Sequence, residues 1–217
     1  MTNLNENRLR KGLRWFMDKV RGTADPGDVK KGDITKPKEM SKIRSFNLYV
    51  TIYSDPKYKD ELPFYDAMPL FFPLDIKKGS EGPLLRGINI HYLTPVNRKK
   101  FLKELETVLR RVAMMQNYNP DHLDELPHQN VTRIVGRYME KVYQQGGGSA
   151  GAHIRQAYRS YFLHRMKGKL KKIPLSEWAQ ASDVYLPVFR KASPSEVYVE
   201  VKKQFELYKG RSRSPIY

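Results

Sequence analysis

"MPLFFPLDIKKGSEGPLLRGINIHYL", Met68 to Leu93, holds two runs rich in aliphatic and aromatic residues on either side of "KKGSEGP", a loop with both glycine and proline. The pattern is that of two β-strands with a turn between them. Just upstream, in "RSFNLYVTIY", Phe46, Leu48, Val50 and Ile52 alternate with Asn47, Tyr49, Thr51 and Tyr53, the period of a third strand. Asp55-Pro56 marks the turn after it. Three such runs predict a small antiparallel sheet, open or barrel-like. Pro69 and Pro73 cannot donate to a ladder, so their strand should be short, bulged or at an edge. Glu61 to Ile76 contains no lysine or arginine. In a strongly basic chain that exclusion marks a buried stretch.

Helices are expected on both sides of the sheet. "NRLRKGLRWFMDKV" places Leu9, Leu13, Phe16, Met17 and Val20 at helical spacing, with Arg8, Arg10, Lys11, Arg14 and Lys19 mostly opposite. Such a helix docks with a solvated basic face, the commoner case, or touches DNA or membrane with that face. From Gly22 to Met40 breakers dominate, as in a linker or extended arm. Thr94-Pro95 opens a helix whose stripe is Phe101, Leu102, Leu105, Leu109 and Val112, and Asn119-Pro120 ends it. Further helices are expected over 131–143, over "HIRQAYRSYFLHRM" (His153–Met166) and from the Ser193–Glu196 capping box to about 209. "QQGGGSAG" separates the first two of these. The expected organisation is a basic helix and arm over 1–43, then a core over 44–217 with a basic helical segment at 150–172 and a C-terminal helix at 193–209.

Composition narrows the function classes. The 217 residues include 40 Lys+Arg against 23 Asp+Glu, a net charge of +17. An anionic partner relieves such self-repulsion: nucleic acid first, then an anionic membrane or an acidic protein surface. With no cysteine, disulfides, zinc–thiolate sites and cysteine nucleophiles are excluded. No apolar run is long enough to span a bilayer and no signal-peptide core opens the chain, so a soluble, intracellular protein without a membrane partner is expected.

Catalytic patterns are weak. His91, His122, His128, His153 and His164 show no paired-ligand spacing, and neither a nucleophile elbow nor a phosphate loop occurs. Asp75-Ile76-Lys77, with Asp55 and Asp66 upstream, is the one hint of a metal-dependent nuclease. A turn aspartate beside a solvated lysine explains it as well. No catalytic residue, metal ligand or cofactor is therefore assigned.

The strongest constellation lies between Glu140 and Glu177, where there is no Asp or Glu. Arg155, Arg159, Arg165, Lys167, Lys169, Lys171 and Lys172 fall in this window among Tyr158, Tyr161, Phe162 and His164. Phosphate oxygens are the natural counter-charge for such a segment. These seven cations are the candidate nucleic-acid-binding residues. Read as a helix, the segment puts Arg165 near the centre of its own apolar stripe, an awkward place for a guanidinium.

"YSDPKYKDELPFYDAMPLFFPLDI", "GINIHYLTP" and "IPLSEWAQASDVYLPVFRKASPSEVYVEVKK" together resemble the skeleton of a family of virion proteins of T-even-type myoviruses and their marine relatives, the DNA end protector or head-completion proteins. The likeness covers roughly 45–203. It departs at "VFRKA" and at the glycine-rich insert, 146–151. It implies a non-enzymatic protein of the virion, and of the host cytoplasm during assembly and after injection. Such a protein binds the ends of the packaged linear genome, shields them from end-degrading nuclease and meets other virion proteins. It also implies that Tyr65 and Asp66 fix a turn and that His91-Tyr92 closes the sheet. The expectation is an α+β protein, its antiparallel sheet flanked by N- and C-terminal helices, that protects DNA ends. The alternatives are a neck, tail or baseplate protein docking through its basic surface, and the metal-dependent nuclease.

Overall fold

The structure is a computed structural model that describes residues 2–23, 47–56, 65–120, 137–138, 154, 156–184, 196–197 and 199. The expected arm, the glycine-rich insert, Arg155, the Ser193 capping box and most of the helices expected at 131–143 and 193–209 lie outside these residues. The described elements are α1 (Thr2–Arg21), β1 (Leu48–Tyr53), β2 (Leu70–Gly79), β3 (Gly82–Asn89), a 3-10 turn (Ile90–Tyr92) and α2 (Pro95–Met115). Then come β4 (Tyr158–Phe162), a second 3-10 turn (Leu163–Arg165), β5 (Met166–Ile173), a third 3-10 turn (Leu175–Glu177) and α3 (Trp178–Ser182).

The opening stretch forms the β2–β3 hairpin. Its ladder runs to Gly79↔Gly82, so Ser80 and Glu81 alone make the turn. Gly82 sits at φ +122, a conformation left to glycine. Pro73 is accommodated by a bulge, since the register shifts between Pro73 and Asp75. β1 lies beside β2 as expected. Its second face is also buried, because Tyr49 and Tyr53 pack in a core of their own.

The five strands run in the order β4-β3-β2-β1-β5, every pairing antiparallel. β4 and β5 thus sit at opposite edges, yet only Leu163–Arg165 joins them. Four strand spacings in a flat sheet come to ~19 Å. The four Cα steps from Phe162 to Met166 reach at most ~15 Å. The sheet must therefore curl. Tyr49, Phe71, Leu85, Tyr161, Met166 and Leu170, from all five strands, pack together with Leu163 of the joining turn, which makes theirs the concave side. The curl stops short of a barrel, for no ladder joins β4 to β5.

The convex side carries the larger core. Leu48, Val50, Leu70, Phe72 and Ile88 meet Phe16 and Val20 of α1, the apolar stripe of α2, and Trp178 and Ala181 of α3. α2 has the expected cap: Thr94 accepts the amide of Asn97, and Pro95 follows. It ends at Met115, before Asn119-Pro120, where Asn117 turns left-handed at φ +57.

One element differs from expectation. The segment read as a helix over His153–Met166 is, from Tyr158 on, strand β4, a 3-10 turn and the start of β5. The spacing of Tyr158, Tyr161 and Phe162 fits a helix locally, but ladders to β3 and β1, far away in sequence, prevail. The change also removes the misplaced Arg165, which leaves the sheet on the 3-10 turn.

Candidate nucleic-acid interface

The basic window of the sequence is split between the two edges of the sheet. Arg159, on β4, donates through Nη1 to the carbonyls of Gln156 at 2.8 Å and Tyr158 at 2.6 Å. Its guanidinium lies 3.8 Å from the Tyr92 ring centre. Arg165 forms ion pairs with the buried Asp55 and with Glu81. Both arginines are engaged by the protein itself. These contacts occupy two of the seven cations that the sequence suggested for phosphate.

The lysines of β5 are placed differently. Cross-strand partners share a face, so Val50↔Lys171 and Ile52↔Lys167 put these lysines on the convex side, which α1 covers. Lys172, opposite Tyr49, projects from the concave side. Lys167 is exposed, and Lys169, Lys171 and Lys172 are half-buried. Gly168, at φ +78, bends the strand against the end of α1, where the Lys169 amide donates to the Thr23 carbonyl at 3.3 Å. A Cβ on Gly22 would lie 2.0 Å from the Lys171 ammonium, so the lysine as placed crosses the helix end over this glycine. The acid that closes the window, Glu177, is taken by α1: Trp15 Nε1 and Lys19 Nζ donate to it at 2.5 and 2.7 Å.

At the end of β3, towards the opposite edge of the sheet, lies a buried polar network made from the quoted motifs. Asp66 accepts from Asn89 Nδ2 at 2.6 Å and from the Met68 amide at 3.0 Å, and its Oδ2 lies 2.8 Å from His91 Nδ1. Asn89 Nδ2 also donates to the Tyr161 hydroxyl at 2.7 Å. Tyr65 donates to the Tyr53 carbonyl and accepts the Asp55 amide. Burial raises the hydroxyl pKa of Tyr53, Tyr65, Tyr92 and Tyr161, so all four stay protonated at neutral pH. Gly87 belongs to the same motif for a steric reason, because a Cβ there would sit 2.3 Å from the Phe72 carbonyl oxygen.

The chain as a whole, motifs included, matches a known family. The family model described as phage T4 terminal DNA protecting protein matches residues 2–205. The chain belongs to that family. No curated protein matches it, and no solved structure does. In this chain the quoted motifs build the sheet and its buried network, while the basic strand β5 lies outside them.

The nuclease hint loses its main ligand. Asp75 faces Arg86 on the neighbouring strand, and the guanidinium grips both carboxylate oxygens, Oδ1 through Nε at 2.5 Å. Asp55 and Asp66 are likewise buried in pairs of their own. Among the described residues no group of three His, Cys, Asp or Glu side chains could hold a metal ion. Sequence reasoning missed Arg98, which is 1% exposed and donates to the carbonyls of Ile90, Leu93, His91 and Val184. A signal was present: Arg98 lies in helical phase with Phe101, Leu102 and Leu105.

Proposed function

We propose that this protein binds the ends of a phage genome and shields them from exonucleases, as a stoichiometric binder with no catalysis of its own. Lys167, Lys169 and Lys171 carry the reading. They line one face of an edge strand inside a window without a single acid, and Glu177 is committed to α1. Phosphate oxygens supply the missing counter-charge. The family supports DNA as the partner, and the virion and host cytoplasm as the setting follow from it. Other virion proteins are further expected partners, and the exposed Met114 and Met115 at the end of α2 offer a small apolar contact for one.

The test is linear duplex challenged with an exonuclease and titrated with the protein, beside binding measured in EDTA. Protection should saturate at a fixed ratio of protein to ends, and binding should persist without magnesium. Unprotected ends at saturating protein would defeat the proposal. Magnesium-dependent cleavage that disappears in Asp75→Ala would restore the nuclease.

A further inference from the structure

We propose that the outer face of α1 and strand β5 form one continuous phosphate-binding surface, which holds the duplex inward of its terminus. The inference rests on the DNA-binding reading and adds to it the helix whose basic face the sequence left as either solvated or in contact with DNA or membrane.

α1 buries Phe16 and Val20 and turns the opposite side outward. Arg10, Lys11, Arg14 and Arg21 are all exposed there, and Asp18 is the acid among them, 3.2 Å from Arg21. Both partners of that pair are largely solvated, so it leaves most of the arginine's charge available. Lys19 is distinct: it points toward Glu177 and is neutralised. The arginine stripe therefore consists of the cations that α1 does not use for docking.

The stripe ends against the middle of β5. Arg21 precedes Gly22, over which the Lys171 ammonium lies, and the Thr23 carbonyl accepts the Lys169 amide. Lys167, Lys169 and Lys171 project on the side where α1 packs. The helix C-terminus offers about half a negative charge, which offsets part of Lys171 and Arg21. Among the described side chains that leaves Arg10, Lys11, Arg14, Lys167 and Lys169 with Asp18 as the acid beside them. Like charges this close repel within a Debye length, a cost relieved when a polyanion covers them.

The dimensions favour a duplex flank over a blunt end. Arg10 to Arg21 spans ~16 Å along the helix. Lys167 to Lys171 covers ~13 Å of strand beside the helix end. The helix stripe alone follows about five base-pair steps of ~3.4 Å, where a terminal pair presents one.

The experiment compares an open-ended duplex with one whose ends are closed by hairpins, by anisotropy in EDTA across a salt series. The variants are Arg10→Gln/Arg14→Gln/Arg21→Gln, Asp18→Asn, and Lys167→Gln/Lys169→Gln. All these side chains are exposed or half-buried, and a circular dichroism melt checks each fold. The triple variant should weaken binding to both duplexes and reduce the slope of log K against log salt by about 2 to 3. Asp18→Asn should tighten both. If the α1 variants keep the wild-type slope while the β5 variant flattens it, the helix is outside the interface and the DNA-binding reading stands. If the wild type binds neither duplex, that reading fails as well.

Discussion

His91 Nδ1 lies 2.8 Å from Asp66 Oδ2, and both side chains are fully buried just past the end of β3. Burial holds the His91 pKa below 6.5, and the charge of Arg98 adds to the effect. The ring is therefore neutral, with Nδ1–H donating to the carboxylate. Burial by itself would raise Asp66. His91 and the hydrogen bonds from Asn89 and the Met68 amide outweigh it, so its pKa falls below 3.8. Both shifts carry the same sign: as pH falls, the unfolded chain takes up these protons before the folded one does. Stability should be full above 6.5, decline below it through His91, and decline further below 3.8 through Asp66. His91→Asn, which has no proton to gain, should flatten the first decline in urea melts run across pH. An unchanged profile in that variant would mean His91 is not the titrating group.

Arg98 should matter more than any other cation of α2. It fastens the helix start to the 3-10 turn at Ile90–Tyr92 and to Val184, which lies 86 residues further on. Arg98→Ala leaves those buried carbonyls without their donor, a loss of about 3–5 kcal/mol. The expected result is a large fall in melting temperature. Lys99→Ala, at an exposed neighbouring position, is the control and should change little.

Gly87 tests the packing of the hairpin. Its missing Cβ admits the Phe72 carbonyl oxygen, and because that atom is backbone it has no easy way to retreat. Gly87→Ala should cost on the order of 3 kcal/mol, the upper range for overpacking. Phe72→Ala, which empties a site where Phe101 and Trp178 meet the ring edge-on, should cost about 3–5 kcal/mol. Denaturant midpoints measure both. A wild-type midpoint in Gly87→Ala would mean the two strands separate easily.

The parts of the fold legible in the sequence are those whose determinants are local. β1 to β3 show in their alternation and turn glycines, and α2 in the Thr94 cap and its apolar stripe. β4 and β5 were hidden because their partners are β3 and β1, remote in sequence, and because Tyr158, Tyr161 and Phe162 also fit a helical phase. The candidate interface rests on charge alone. The acid-free window singled out one stretch of chain. It could not distinguish lysines at an open edge from arginines drawn inward to Asp55 and Tyr92.

That distinction yields the last prediction, which sorts the cations of one window by what they hold. Lys167, Lys169 and Lys171 have no carboxylate partner among the described ion pairs, so neutralising all three with glutamine should leave the melting temperature nearly unchanged. The salt dependence of DNA binding should flatten by about 2 to 3 in slope, roughly one per lost phosphate contact. Arg165→Gln should do the reverse. Asp55 is fully buried, and without the guanidinium its carboxylate keeps only hydrogen bonds such as that from the Tyr53 hydroxyl at 3.0 Å. The loss should be about 3 kcal/mol of stability. The salt slope, measured where the variant is still folded, should be that of the wild type. Melts and binding isotherms on the two variants give four numbers. A flattened slope in Arg165→Gln, or an unaltered one in the lysine variant, would place the phosphates at the 3-10 turn and not along β5.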